Sequence, residues 1–136
     1  MTDSGPDIPD PRRGEAHEQL ALELVATAVG DSVGVVEVRG DLDTLTAARF
    51  DGWVRERLGG HRDVVLDLDG VGFLASAGIA VLMGLRQDAA RQGVRLHLTG
   101  RRNRAVSRPL QVLGLTGVLD LRDDARAVVA ELAHTA

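Results

Sequence analysis

Residues 64–83, VVLDLDGVGFLASAGIAVLM, constrain the fold more than any other part of this chain. Val64 to Leu68 is an apolar run of strand length, and its apolar character points to a central position in a sheet. Gly70 and Gly72 predict a turn, and a helix is expected to start near Ser76, the single hydroxyl at the junction. A helix N-terminus carries amide donors without intrahelical partners and a partial positive charge, so it suits an anion. Two readings of Ser76 follow. It caps the helix, or it is where a phosphate is attached or bound.

The rest of the chain supplies elements on either side of this unit. Residues 1–17 hold three of the four prolines together with Asp3, Asp7 and Asp10, and are expected to form a flexible tail ahead of a single domain over residues 18–136. Leu20, Leu22, Leu24 and Ala26 alternate with less apolar neighbours, Gly30-Asp31 is a turn signal, and Val33 to Val38 is a second strand. Together they read as a hairpin. After Gly40-Asp-Leu-Asp43 comes a helix capped by Thr44 or Thr46, with Ala47, Phe50, Val54 and Leu58 on one face and a stop at Gly59-Gly60.

The helix from Ser76 should end before Gly93. Its residues from Ile79 to Leu85 are apolar on nearly every side, so those turns either sit deep in the core or present apolar surface to a partner. Val94, Leu96 and Leu98 predict a fourth strand. A short helix carries Val106, Leu110 and Leu113, with Pro109 expected in its first turn. Val118 to Leu121 is a candidate fifth strand, and Asp123 a cap for a last helix bearing Val128, Val129 and Leu132. The class is α/β, with a mixed four- to five-stranded sheet, about four helices and the order β-β-α-β-α-β-α-β-α.

Composition removes several functions. The 136 residues suit one domain with one core. There is no cysteine, so disulfides, thiolate metal sites and cysteine nucleophiles are absent. No apolar run reaches the roughly 20 residues that span a bilayer, and the acidic, proline-rich start is unlike a signal peptide, so a cytoplasmic protein without membrane contact is expected. The net charge of −4 gives no reason to expect nucleic acid. Four scattered histidines, His17, His61, His97 and His134, show no ligand or triad spacing.

Other chemistry-bearing patterns are weak. Asp67 and Asp69 share a face at a strand end; acid–base work is conceivable there, but a solvated strand end that caps the next turn is the preferred reading. Gly70-Val-Gly72-Phe-Leu-Ala75 fits a loose dinucleotide fingerprint, with Arg101 and Arg102 near the end of the next strand, but a doubly wound dinucleotide fold does not fit comfortably in the ordered chain. Arg101, Arg102, Arg104 and Arg108 form a basic cluster without interleaved aromatics. With the dinucleotide reading set aside, no cofactor and no metal is expected.

The element order, Gly40-x-Leu-Asp43, the strand Val-Val-Leu-Asp-Leu and Phe73-Leu-Ala-Ser-Ala-Gly78 resemble the STAS domain, most closely the bacterial anti-sigma factor antagonist (anti-anti-sigma factor) type. The resemblance runs from about Leu20 to Leu132, and Arg104-Ala-Val106 and Leu113-Gly-Leu115 are similar to the family's third-helix region. It implies a non-enzymatic regulator of transcription, a monomer or weak homodimer. Such a regulator binds an anti-sigma factor that is a serine kinase, releases sigma factor, and is switched off by phosphorylation and reset by a PP2C-type phosphatase. Carried over by position, the phosphoacceptor is Ser76, the Asp of Gly-x-Leu-Asp is Asp43, and the motif glycine is Gly78. The partner surface would comprise Asp43, Thr44, Ala75, Ser76, Ala77, Gly78, Ile79 and Leu82. Two positions depart: Ala75 stands where the family has Asp and Ala77 where it has a second Ser. The alternative is a degenerate STAS domain acting as a constitutive scaffold or transporter-accessory subunit without phosphorylation.

Overall fold

A computed structural model describes residues 22–135, so the tail expected over residues 1–17 lies outside the described residues. Two strands, β1 (Leu22–Val29) and β2 (Val33–Leu42), form the expected antiparallel hairpin, turning at Gly30 with φ +63°. Helix α1 (Ala47–Leu58) follows, then β3 (Asp63–Leu74), helix α2 (Ser76–Arg91) and β4 (Arg95–Thr99). Two further helices, α3 (Arg104–Val112) and α4 (Ala125–Thr135), complete the order. The sheet runs β1-β2-β3-β4, with β3 parallel to both neighbours.

The apolar run from Val64 to Leu68 occupies the interior position that its composition demands. Alternate residues Val64, Leu66 and Leu68 join Phe50, Val54 and Leu58 of α1, Leu82 and Leu85 of α2, and Val106 and Leu110 of α3 in the main core. Val65 faces the other way and packs with Val33 and Val128 under α4. A central strand needs apolar side chains on both faces because both are covered. The amphipathic face of α1 is buried as its spacing predicts: Ala47, Phe50, Val54 and Leu58.

Five local expectations are corrected. First, Gly70 and Gly72 make no turn. They lie inside β3, whose register against β2 slips between Glu37 and Arg39 and again between Gly40 and Asp41. These slips are bulges, which bend and twist a strand without ending it. A Cβ at Gly70 would stand 2.7 Å from Cγ of Arg39, so glycine is required there by crowding. A dinucleotide fingerprint needs its glycines at the strand-to-helix turn, and here they are in the ladder. Second, residues 118–120 lie in turns and Leu121 in irregular backbone, not in a fifth strand. Leu119 and Leu121 are buried, which accounts for their apolar pattern, but Asp120 has φ +49°, and only a single bridge joins Thr99 to Arg122.

Third, Thr46 occupies the N-cap position of α1, yet its side chain makes no cap bond. Its hydroxyl donates back to the Asp41 carbonyl at 2.7 Å, and Asp43 supplies the acceptor for the loop amides instead. Fourth, Pro109 is the sixth residue of α3, beyond the first turn. Its ring removes one helical bond, and the helix ends within a turn, at Val112. Fifth, Asp124 caps α4 by accepting from the Arg126 amide at 3.0 Å, while Asp123 pairs with Arg101 at 3.0 Å and Arg102 at 3.9 Å.

Candidate functional site

The carboxyl ends of β2 and β3 lie side by side, Asp41 opposite Phe73 and Leu42 opposite Leu74. Each strand then leaves the sheet, β2 through residues 43–46 into α1 and β3 through Ala75 into α2. The two exits are tied together. The Ala75 amide donates to the Leu42 carbonyl at 2.8 Å, and a Cβ on Gly78 would come within 2.8 Å of that carbonyl and 2.9 Å of the Leu42 Cβ. Gly78 is therefore a packing glycine: any side chain would push the first turn of α2 off the β2 exit.

The loop 43–46 is braced from within. Asp43 Oδ1 accepts from the amides of Leu45 at 3.0 Å and Thr46 at 3.1 Å, and lies 3.2 Å from the Thr46 hydroxyl, whose one proton goes to the nearer Asp41 carbonyl. The Thr46 hydroxyl in turn accepts from the Asp43 amide at 3.0 Å. Aspartate is suited to this because its short carboxylate can bond the backbone two and three residues on. Asp43 thus shapes the loop, and the loop displays Thr44 and Leu45, the latter 74% exposed.

Ser76 does not cap α2. The N-cap is Ala75, in an extended conformation and without a side-chain bond, and its carbonyl accepts from the Ile79 amide at 3.0 Å. Ser76 is the first helical residue, exposed, with its hydroxyl uncommitted to any described partner. The amides opening the helix have no acceptor four residues back. The arrangement presents a free hydroxyl beside amide donors at the positive end of a helix dipole, where an added phosphate is locally tolerated.

The eight residues expected to form the partner surface separate by depth. Thr44 and Ser76 are exposed, and Asp43, Ala75 and Ala77 are half-buried. Gly78, Ile79 and Leu82 are buried, and Leu82 is in the core with no exposure. Of the apolar turns from Ile79 to Leu85, Ile79, Leu82 and Leu85 fill the interior, Val81 and Gly84 are half-buried, and Ala80 and Met83 stay exposed, so both outcomes allowed by their composition occur. What the sequence reading missed is Phe73, 53% exposed at the end of β3, and Leu45. Both are large apolar side chains: Phe73 precedes Ser76 by three residues, and Leu45 lies on the loop after β2, whose end at Leu42 is tied to Ala75. The signal for Phe73 was alternation: its neighbour Leu74 is buried, so Phe73 projects from the opposite face.

Asn103 is a second omission. Its side-chain nitrogen shares two N–H groups among the carbonyls of Leu68, Asp69 and Val71, at 3.1, 3.1 and 2.7 Å, while its Oδ1 accepts from the Ala105 amide to cap α3. One residue clamps the bulged part of β3 and starts the next helix. Among the described residues no group of three or more histidines and carboxylates could hold a metal ion, and no helix is long and apolar enough to cross a membrane.

Comparison with known proteins agrees with this geometry. The STAS domain family model matches residues 25–128, and the chain belongs to that family. Among solved structures, the chain is similar to an anti-sigma factor antagonist from Mycobacterium paratuberculosis, at 22% identity and TM-score 0.72, covering 81% of this chain and 92% of that one. It is also similar to the anti-sigma factor antagonist SpoIIAA in its unphosphorylated form, at 16% identity and TM-score 0.68, covering 84% and 98%. The Bacillus cell fate determinant SpoIIAA in its phosphorylated form matches at 15% identity and TM-score 0.63, covering 82% and 99%. No curated protein matches the chain.

Proposed function

We propose that this STAS domain is an anti-sigma factor antagonist. It binds a cognate anti-sigma factor with serine kinase activity, frees sigma factor, and is switched off when Ser76 is phosphorylated. The observation that carries the reading is the state of Ser76: exposed, first in α2, and not used as a cap. A residue whose only task was helix initiation would have its oxygen on a backbone amide. Support comes from the structural likeness to antagonists, one of them solved in unphosphorylated and phosphorylated forms.

The partner surface in this reading centres on Ser76, Thr44, Leu45, Phe73, Ala75 and Ala77. Asp43, Gly78, Ile79 and Leu82 hold it in shape from beneath. Phosphate adds about −1.5 to −2 charge units beside two exposed apolar anchors, so a partner that buries those anchors would meet an unpaired charge. The protein itself needs no catalytic group or cofactor. It acts in the cytoplasm, and a PP2C-type phosphatase restores binding.

The second reading is a constitutive scaffold, and Ala75 favours it: a kinase that aligns its substrate through the family's Asp finds a methyl group here. Incubation with the cognate kinase and ATP separates the two. Intact mass should rise by one phosphate in the wild type and remain unchanged in Ser76→Ala. A wild type that binds the partner yet stays unmodified establishes the scaffold. Ser76→Asp should weaken partner binding at least about tenfold, the effect of one badly placed charge at an interface.

A further inference from the structure

Among the described residues, strand β1 is an open edge of the sheet. Among the described residues its one strand partner is β2, and their register is unbroken from Leu22 opposite Gly40 to Val29 opposite Val33. Edge strands in soluble proteins are usually protected by lysine, proline, a bulge or extreme shortness. β1, LELVATAV, has none of these over its 8 residues, and Glu23 is its only charge. Every residue from Val25 to Val29 is exposed, Val25 at 52%.

The direction of its free peptide groups can be worked out. The Ser32 carbonyl accepts from the amides of Arg62 at 2.8 Å and Asp63 at 3.1 Å, so it points towards β3. Peptide groups alternate along a strand, so those of Val33, Val35 and Glu37 point towards β1, and their partners Val29, Thr27 and Val25 point back. The outward amides and carbonyls of β1 therefore belong to Leu22, Leu24, Ala26 and Ala28. The midpoint of that set is Val25.

We propose that β1 is a homodimerisation edge, in which two copies of this chain join β1 to β1, antiparallel about a twofold axis at Val25, into one continuous sheet. This is the symmetric register that satisfies all four outward residues: Leu22 pairs with Ala28 of the second copy, and Leu24 with Ala26. The side chains agree with it. On one face each leucine meets an alanine. On the other Val25 meets Val25, and Glu23 stands opposite the Thr27 hydroxyl, so no like charges face each other. The inference is independent of Ser76 and of the anti-sigma reading.

The full chain has no cysteine, so a single introduced one reports its own pairing. Opposed Cα atoms in an antiparallel pair lie about 4.5–5.5 Å apart, within disulfide range. Under mild oxidation Val25→Cys should become a disulfide-linked dimer about ten times faster than Val118→Cys, which is 46% exposed on a separate loop. Light scattering on the wild type should give a mass rising from one chain towards two with concentration. Val25→Lys sets two ammonium groups on the axis and should hold the mass at one chain, with the melting temperature that the wild type shows at dilutions where it is one chain. A wild-type mass of one chain at every concentration overturns the proposal, as do equal crosslinking rates for the two cysteine variants. A dimer that survives Val25→Lys also overturns it, because the copies then meet elsewhere.

Discussion

The two ends of the sheet are built to opposite rules. At the amino end of β3 and β4 the polar groups are closed on one another. Asp63, with 5% of its side chain exposed, receives His97 Nε2 at 2.8 Å and Arg95 Nε at 3.0 Å. Burial alone would raise the Asp63 carboxyl, but the hydrogen bonds from His97 and Arg95 and their charges outweigh it and hold the group below its ordinary range. At the carboxyl end of β2 and β3 the internal polar groups are also satisfied, by Asp43 and Thr46, yet Leu45, Phe73 and the Ser76 hydroxyl are left facing out. One end spends its chemistry on holding the fold. The other is stiffened by its own backbone bonds and keeps its side chains for something else. Recognition needs that combination, because ordering a loop on binding costs affinity and a loop already braced avoids the cost.

Substitutions can break this contrast. The largest effect is expected beneath the Ser76 end. Leu82→Ala removes a fully buried side chain that supports α2, and should cost about 2–5 kcal/mol in denaturant unfolding. Partner binding should then fall only in proportion to the unfolded fraction, since Leu82 faces inward. Partner binding that collapses while the stability stays unchanged would place Leu82 on the surface after all.

At the closed end, Asp63→Asn should cost about 1–3 kcal/mol at neutral pH, the effect of removing a buried charged acceptor from two donors. A folded pKa below the unfolded value of 3.8 means that the contribution is fully present above that value and fades as pH falls through the folded one. The gap between wild type and variant should therefore narrow in acid, below about 3.8. A gap that is constant with pH would show that the Asp63 charge contributes nothing. Partner affinity at the other end should be unaffected, which isothermal calorimetry can check.

Smaller effects on stability belong to the exposed end itself. Phe73→Ala and Leu45→Ala should leave stability within about 0.5 kcal/mol while each costs more than about 1 kcal/mol in partner binding, the signature of contact residues. Ser76→Ala, which removes no cap bond, should shift stability by less than about 0.5 kcal/mol. A loss near 1 kcal/mol would mean that the hydroxyl caps α2 in solution.

Much of the fold was legible because its signals are local and repeated. The hairpin turn at Gly30, the buried face of α1 and the interior strand around Val64 to Leu68 all follow from periodicity and from the conformational needs of one or two residues. The errors share a cause: a local pattern had two physical solutions, and long-range contacts chose between them. Gly70 and Gly72 could turn the chain or bulge it, and the approach of Arg39 with the Asn103 clamp made it a bulge. Leu119 and Leu121 could be strand or packed irregular chain, and the irregular chain won. Thr44, Thr46 and Ser76 were each a possible cap, and which oxygen reached which amide depended on how β2 and β3 ended side by side.

By itself, then, the sequence determined the α/β class, the central strand and the position of a lone hydroxyl at a strand-to-helix junction, because apolar periodicity and residue conformational limits act within a few neighbours. Only the tertiary structure decided that Ile79 and Leu82 turn inward, that Leu45 and Phe73 turn outward, and that Ser76 is free. Those outcomes depend on contacts between segments about thirty residues apart, such as the Ala75 amide on the Leu42 carbonyl, and no local pattern encodes which of two faces such a contact will cover.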